Sequence, residues 1–159
     1  MALALMSILL HPHEGIKPLK LESPLAGLLL ISAWVSFKSD SQSFKDNNER
    51  DIHQKAQMHE WADDFATPEE RNNYTEPVDA DSSWFKGFPA RKTLNIYGGY
   101  EIFRDDIAAV GKKLREAGAV VDDVECPLQV HIDCILDAAA GYEVGPMSTE
   151  TWKWLENVF

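Results

Sequence analysis

The sequence predicts an α/β fold of about three parallel strands with flanking helices, and three stretches predict it. Leu25 to Ser32 is a continuous apolar run bounded by Pro24 and polar residues, the composition of a strand covered on both faces. Thr93 to Tyr97 and Val120 to Glu125 are two further short strand segments. Between them, Ile102 to Ala117 repeats Phe103, Ile107, Val110 and Leu114 at four, three and four residues, one apolar stripe along a helix. Strand, helix, strand in that order is a right-handed crossover between parallel neighbours.

The remaining elements follow in order. Ala2 to Leu10 is an apolar run with no capping residue ahead of it, read as a buried helix that begins inside a structural unit. It has no preceding basic residue and no small-residue cleavage site, so it is not a leader peptide, and it is too short to span a bilayer. His11 to Pro18 is rich in breakers and forms a loop. From 36 to 89 the chain is polar, an insertion between strands in a single partial domain covering 1–159. One helix is expected there, over Asp51 to Phe65, with Ile52, Ala56, His59 and Phe65 on one face. Trp61, Trp84 and Phe85 are candidate pocket walls, but anchoring of the long segment to the core is the favoured reading. In the Ile102 to Ala117 helix, Asp105 and Asp106 occupy the first turn, Lys112, Lys113 and Arg115 the end, and Gly118 follows, matching the dipole and a left-handed cap. A last helix opens at Ser148 or Thr149, with Trp152 and Leu155 or Val158 turned inward.

A formal net charge of -11 and a pI near 4.8 argue against nucleic acid or an anionic membrane as partner. A small molecule or another protein remains. Cys126 and Cys134 have no zinc-binding spacing, and neither a metal nor a cofactor is expected. The two flank His131, and free thiols in a reducing, cytoplasmic compartment are the favoured reading over a disulfide bracing that loop.

Two runs carry the chemistry. Tyr97-Gly98-Gly99-Tyr100-Glu101 follows the second strand, and Val130-His131-Ile132-Asp133 follows the third. Ligands of an open parallel sheet bind beyond the carboxyl ends of its strands, and both Glu101 and His131 fall on that edge. A carboxylate there fixes the imidazole's tautomer and stabilises the imidazolium formed when His accepts a proton from a nucleophile. Glu101 is thus a candidate acid and His131 a candidate base. A lone loop histidine is more often structural, and a glutamate ahead of a helix serves its dipole. Order, spacing and strand position together strengthen the acid–base reading, and those structural readings stay open beside it. The serine nucleophile of such a pair sits on a Gly-x-Ser-x-Gly turn, and no serine here has that setting; Ser7, in Leu-Met-Ser-Ile-Leu, is a core or helix-surface residue. A phosphate site is set aside because Gly98-Gly99 is followed by Tyr-Glu, whose carboxylate repels phosphate.

Residues 21–37, the 98–106 run and the 130–133 run resemble the C-terminal half of hormone-sensitive-lipase-like α/β-hydrolases, with the flavour of fungal esterases and steryl-acetyl-hydrolase-like members. The resemblance covers essentially the whole chain in order. It implies that Glu101 holds the acid position, His131 the catalytic base, and Asp105 the second, structural carboxylate of the acid motif. It also implies that Ala2 to Leu10 follows the nucleophile elbow and that the three strands are the last three of the sheet. Glu stands at 101 in place of the commoner Asp, Ala33 stands where Pro is frequent, and the elbow with its oxyanion Gly-Gly motif is absent. The expected function is that of a carboxylic ester hydrolase acting on small-molecule esters, inactive as this isolated chain. The alternative is a non-catalytic binding or interaction protein with a pocket near Trp34 and Trp84. Without its neighbour, the Leu25 to Ser32 strand exposes an apolar edge open to self-association.

Overall fold

The structure, a computed structural model, describes residues 2–159. Three strands, β1 (Leu28–Ile31), β2 (Thr93–Gly98) and β3 (Val121–Cys126), form one parallel sheet in the order β1-β2-β3. Leu28 lies opposite Thr93 and Thr93 opposite Val121, so the strands start level. The regular part of β1 is shorter than the apolar run, and Leu25 adds only an isolated bridge to Ala90.

Both faces of the sheet are covered, as the run of leucines requires. On one face Leu28 and Leu30 join Leu3 and Met6 of α1 (Ala2–Leu10) and Ile107, Val110 and Leu114 of α4 (Arg104–Glu116). On the other, Leu94 and Ile96 pack with Met147 and Trp154 of α6 (Pro146–Glu156), with Leu29 and Ile31 at the margin. Every residue of β2 is buried. Removing Leu94 or Ile96 from water stabilises the fold by about 1.5–3 kcal/mol each. Asn95, buried in the middle of that strand, donates to Ile107 O (3.0 Å) and Asp123 Oδ1 (2.7 Å), so its amide is not left unpaired beneath α4.

Three expectations are corrected. The helix in the insertion, α3 (Lys55–Phe65), begins after a bend at 51–53 and buries Met58 and Ala62, four residues apart; Ile52, Ala56, His59 and Phe65 are exposed. Ala62 packs with Phe37, Ala66 and Trp34, while Met58 joins the main core. The last helix opens at Pro146, and Trp154 points inward where Trp152 was expected: Trp154 is 7% exposed and Trp152 64%. Trp154 lies over Gly27, where an added Cβ would come within 2.7 Å of its ring, and donates to Asp122 Oδ2 at 2.9 Å. Two short helices, α2 (Gln42–Asn47) and α5 (Asp133–Ala140), were not foreseen.

Two of the three aromatics expected to anchor the segment do so. Phe85 is buried, and Trp84 stacks on His11 (3.7 Å between centroids) and donates to Ser7 Oγ at 3.1 Å. The third, Trp61, is exposed and lies edge-on to His53. Among the described residues no helix is long and apolar enough to cross a membrane.

Candidate active site

Glu101 and His131 meet above the carboxyl end of β2. The turn after β2 is tight: Gly98 passes so close to the loop after β3 that an added Cβ would lie 2.2 Å from Gln129 O, and only glycine fits. Tyr100 N–H then donates to Gln129 O at 2.9 Å, joining the two loops. Glu101 is fully buried, and each of its oxygens is occupied. Oε1 accepts from Gly98 N–H (2.6 Å) and from Ser32 Oγ–H (2.5 Å), while Oε2 lies 3.2 Å from His131 Nδ1. A carboxylate buried with three partners is held in one orientation, and its only imidazole contact is through Nδ1. That contact leaves the other ring nitrogen, Nε2, outside the pair with Glu101. His131, 13% exposed at its side chain, also borders a cavity of about 330 Å³ shared with the end of β1, the start of α1, Trp34 and Tyr74.

Ser32 is the first residue that sequence reasoning missed. It ends β1 in the left-handed region (φ 48°), is buried, and accepts the Ile132 N–H at 2.9 Å on the same oxygen that serves Glu101. Ile132, β-branched, is itself left-handed (φ 49°) at the start of α5. Such conformations are destabilising by about 1–3 kcal/mol each and persist where neighbouring structure enforces them. In the sequence Ser32 was only the polar end of an apolar run.

The acid loop is held from the insertion. Ser43 Oγ donates to Ile102 O (2.6 Å), and Asn47 Nδ2 donates to Glu101 O (2.9 Å) and Gly99 O (3.2 Å). Asp51 accepts from Ile102 N–H and His131 N–H. Ser43, Asn47 and Asp51 recur every four residues, the one signal that could have found them. Asp105 lies outside the pair: Oδ2 accepts the Ser43 N–H at 2.8 Å in the first turn of α2, and Oδ1 pairs with Arg104 at 2.9 Å. His53 sits edge-on to His131, ring centroids 4.8 Å apart, and burial together with the neighbouring imidazole lowers its pKa. Phe103 forms a second wall at 5.4 Å.

Other candidates lie apart from this centre. Ser7 is buried in α1 and serves Trp84. Cys126 and Cys134 are free thiols, and burial pushes the first up to about 11 and raises the second. Among the described residues no cluster of His, Cys, Asp or Glu is placed to hold a metal ion.

A three-stranded parallel sheet flanked by helices, with Glu101 and His131 in contact at its carboxyl edge, is an α/β architecture. The profile of the alpha/beta hydrolase fold matches residues 2–134, and the chain belongs to that family. Solved structures similar to it include a thermostable esterase from Pseudomonas putida (23% identity, TM-score 0.64, 79% of this chain and 38% of that one). A hormone-sensitive lipase from a metagenome library matches at 20% identity and TM-score 0.70, over 86% and 46% of the two chains. Carboxyl esterase 2 from the mycorrhizal fungus Tuber melanosporum matches at 16% and 0.69, over 94% and 47%. At such identities the likeness is one of fold, and the chain spans less than half the length of each of these structures. No curated protein matches the sequence.

Proposed function

We propose that this chain carries the acid and base of a carboxylic ester hydrolase, with Glu101 orienting His131 and His131 acting as general base. The Glu101 Oε2 to His131 Nδ1 contact at 3.2 Å, from a carboxylate otherwise satisfied by Gly98 and Ser32, is the observation that carries the reading. In the complete reaction a serine oxygen attacks the ester carbonyl as His131 takes its proton. The imidazolium then returns that proton to the departing alcohol, leaving an acyl-enzyme for water to cleave by the same relay. Among the described residues no serine hydroxyl bonds to the His131 ring, and Ser32 is engaged by Glu101 and Ile132. On this reading the isolated chain, which has no Gly-x-Ser-x-Gly turn, is expected to be inactive.

The test has two arms. The purified chain should show no saturable turnover of a short-chain nitrophenyl ester, and a His131-dependent rate from it alone would sink the proposal. A longer product of the same reading frame, carrying a Gly-x-Ser-x-Gly turn ahead of Ala2, should hydrolyse that ester and lose about 10³-fold or more in kcat on His131→Ala. The cavity beside Trp34 supports the second reading, a binding protein; a frame without that turn favours it. The free edge of β1 is where we place self-association, and the cytoplasm, where thiols stay reduced, is the compartment proposed.

A further inference from the structure

The loops that carry Glu101 and His131 leave two different strands and enter two different helices, so neither strand nor helix alone sets the distance between the two side chains. Their contact has no slack. At 3.2 Å it is at the long end of a hydrogen bond, and a shift of about 1 Å in either loop breaks it.

Ser32 joins the Glu101 side chain to the Ile132 N–H, and Asp51 joins the backbones of both loops. Asp51 Oδ2 accepts the Ile102 N–H at 2.8 Å and Oδ1 accepts the His131 N–H at 3.0 Å. A single planar carboxylate thereby fixes the residue after the acid against the backbone of the base. Asp51 is itself fixed, because its N–H closes onto Asn47 O at 2.9 Å just beyond α2. The other two polar residues of that row hold the acid loop alone: Ser43 takes Ile102 O, and Asn47 takes Glu101 O and Gly99 O. Two residues beyond Asp51, the His53 ring lies edge-on to that of His131.

We infer that Asp51 is a positioning residue, a clamp that sets the separation of Glu101 and His131 by binding the backbones of both loops with one carboxylate. This rests on the acid–base reading of that pair. It gives the polar insertion a part in the site that neither its composition nor its exposed helix suggests.

The experiment uses the labelled full chain in solution and two magnetic-resonance readouts. One is hydrogen exchange at the Ile102 and His131 amides; the other is the downfield resonance of the proton on His131 Nδ1. In Asp51→Ala, exchange at both amides should rise by about ten-fold or more, the range for bonds to a charged acceptor, while Leu94 and Ile96 in β2 keep their rates. The Nδ1 resonance should lose its downfield shift. In Asn47→Ala the His131 amide should keep its rate. Should Asp51→Ala lose the fold, Asp51→Asn keeps the shape but leaves one oxygen for the three N–H donors of Ile52, Ile102 and His131, which lie on both carboxylate oxygens, so the Ile102 or the His131 amide should accelerate. Faster amides with an unmoved Nδ1 resonance would reduce Asp51 to a structural residue and overturn the inference; unchanged amides would overturn it as well. Absence of the downfield resonance from the unsubstituted chain, or its persistence in Glu101→Gln, counts against the acid–base reading instead, and the two amides still decide whether the clamp exists.

Discussion

The two outer strands of the sheet are built on opposite plans. β1 reads Leu28-Leu29-Leu30-Ile31, without a charge, and β3 reads Val121-Asp122-Asp123-Val124-Glu125-Cys126, half of it carboxylate. Along β1, Leu28 and Ser32 donate their N–H groups to Lys92 and Ile96, so Leu29 and Ile31 direct theirs away from β2 toward a free edge. Along β3, Asp122 is tied to Trp154, and Asp123 to Asn95 and Arg115. Charge along an outer strand discourages further pairing, and an apolar outer strand invites it. β3 has the sequence of a strand that ends a sheet, and β1 that of a strand with a neighbour on each side. The loop after β3 leads His131 back across β2 to the β1 side, where Ile132 bonds Ser32, so His131 stands beside the open edge and not beside the closed one.

The largest effect that follows concerns mass. Light scattering at high concentration should give a species heavier than 17.9 kDa. Ile31→Lys, which sets a charge on the half-buried open edge, should return the monomer, while neutralising Glu125 on the opposite strand should not. A monomer without any substitution breaks the comparison. Next comes stability. Ile96→Ala in the central strand should cost about 2–5 kcal/mol in urea unfolding, whereas Val124→Ala on half-buried β3 should cost about 1 kcal/mol. Equal losses would mean that β3 is no more peripheral than β2.

The smallest effect separates the carboxylates of β3 from one in the helix that covers the sheet. Burial, with Asp105 nearby, pushes Asp106 in the first turn of α4 up to about 6. Its folded pKa lies above the unfolded one, so the folded state binds more protons between about pH 4 and 6. Its contribution to stability is fullest below that window and declines as pH rises through it. Asp106→Asn should flatten that decline in unfolding curves taken at pH 4, 5 and 6; an unaltered slope would assign it to other groups.

The sequence was most legible where one signal dominated. The stripe Phe103, Ile107, Val110 and Leu114 with its Gly118 cap marked α4, and the short runs on either side marked β2 and β3. Glu101 and His131 were legible because topology alone puts both loops on one edge. The supporting residues were not, since Ser43, Asn47 and Asp51 are polar residues in a polar stretch and normally face water. They turn inward because the acid loop offers unpaired backbone groups, a demand set by tertiary structure. Ser32 was hidden by its position, as nothing local forces a left-handed serine after a strand. Trp152 and Trp154 are indistinguishable by hydrophobicity, and the bare surface of Gly27, far away in sequence, selects Trp154.

The unequal connections between the strands also set an order of assembly. β2 and β3 are joined through 99–120, which includes α4, whereas β1 reaches β2 only after 32–92. Closing the longer segment sacrifices more chain entropy before any contact repays it. The β2–α4–β3 unit should therefore form the folding nucleus, with β1 docking later. In stopped-flow measurements Leu114→Ala should mainly slow folding and Leu30→Ala mainly speed unfolding. Glu101 and His131, carried by the loops after β2 and β3, would then be in place before Ser32 arrives to lock them, and during that interval the nascent chain holds a hydrophobic strand not yet committed to its own sheet.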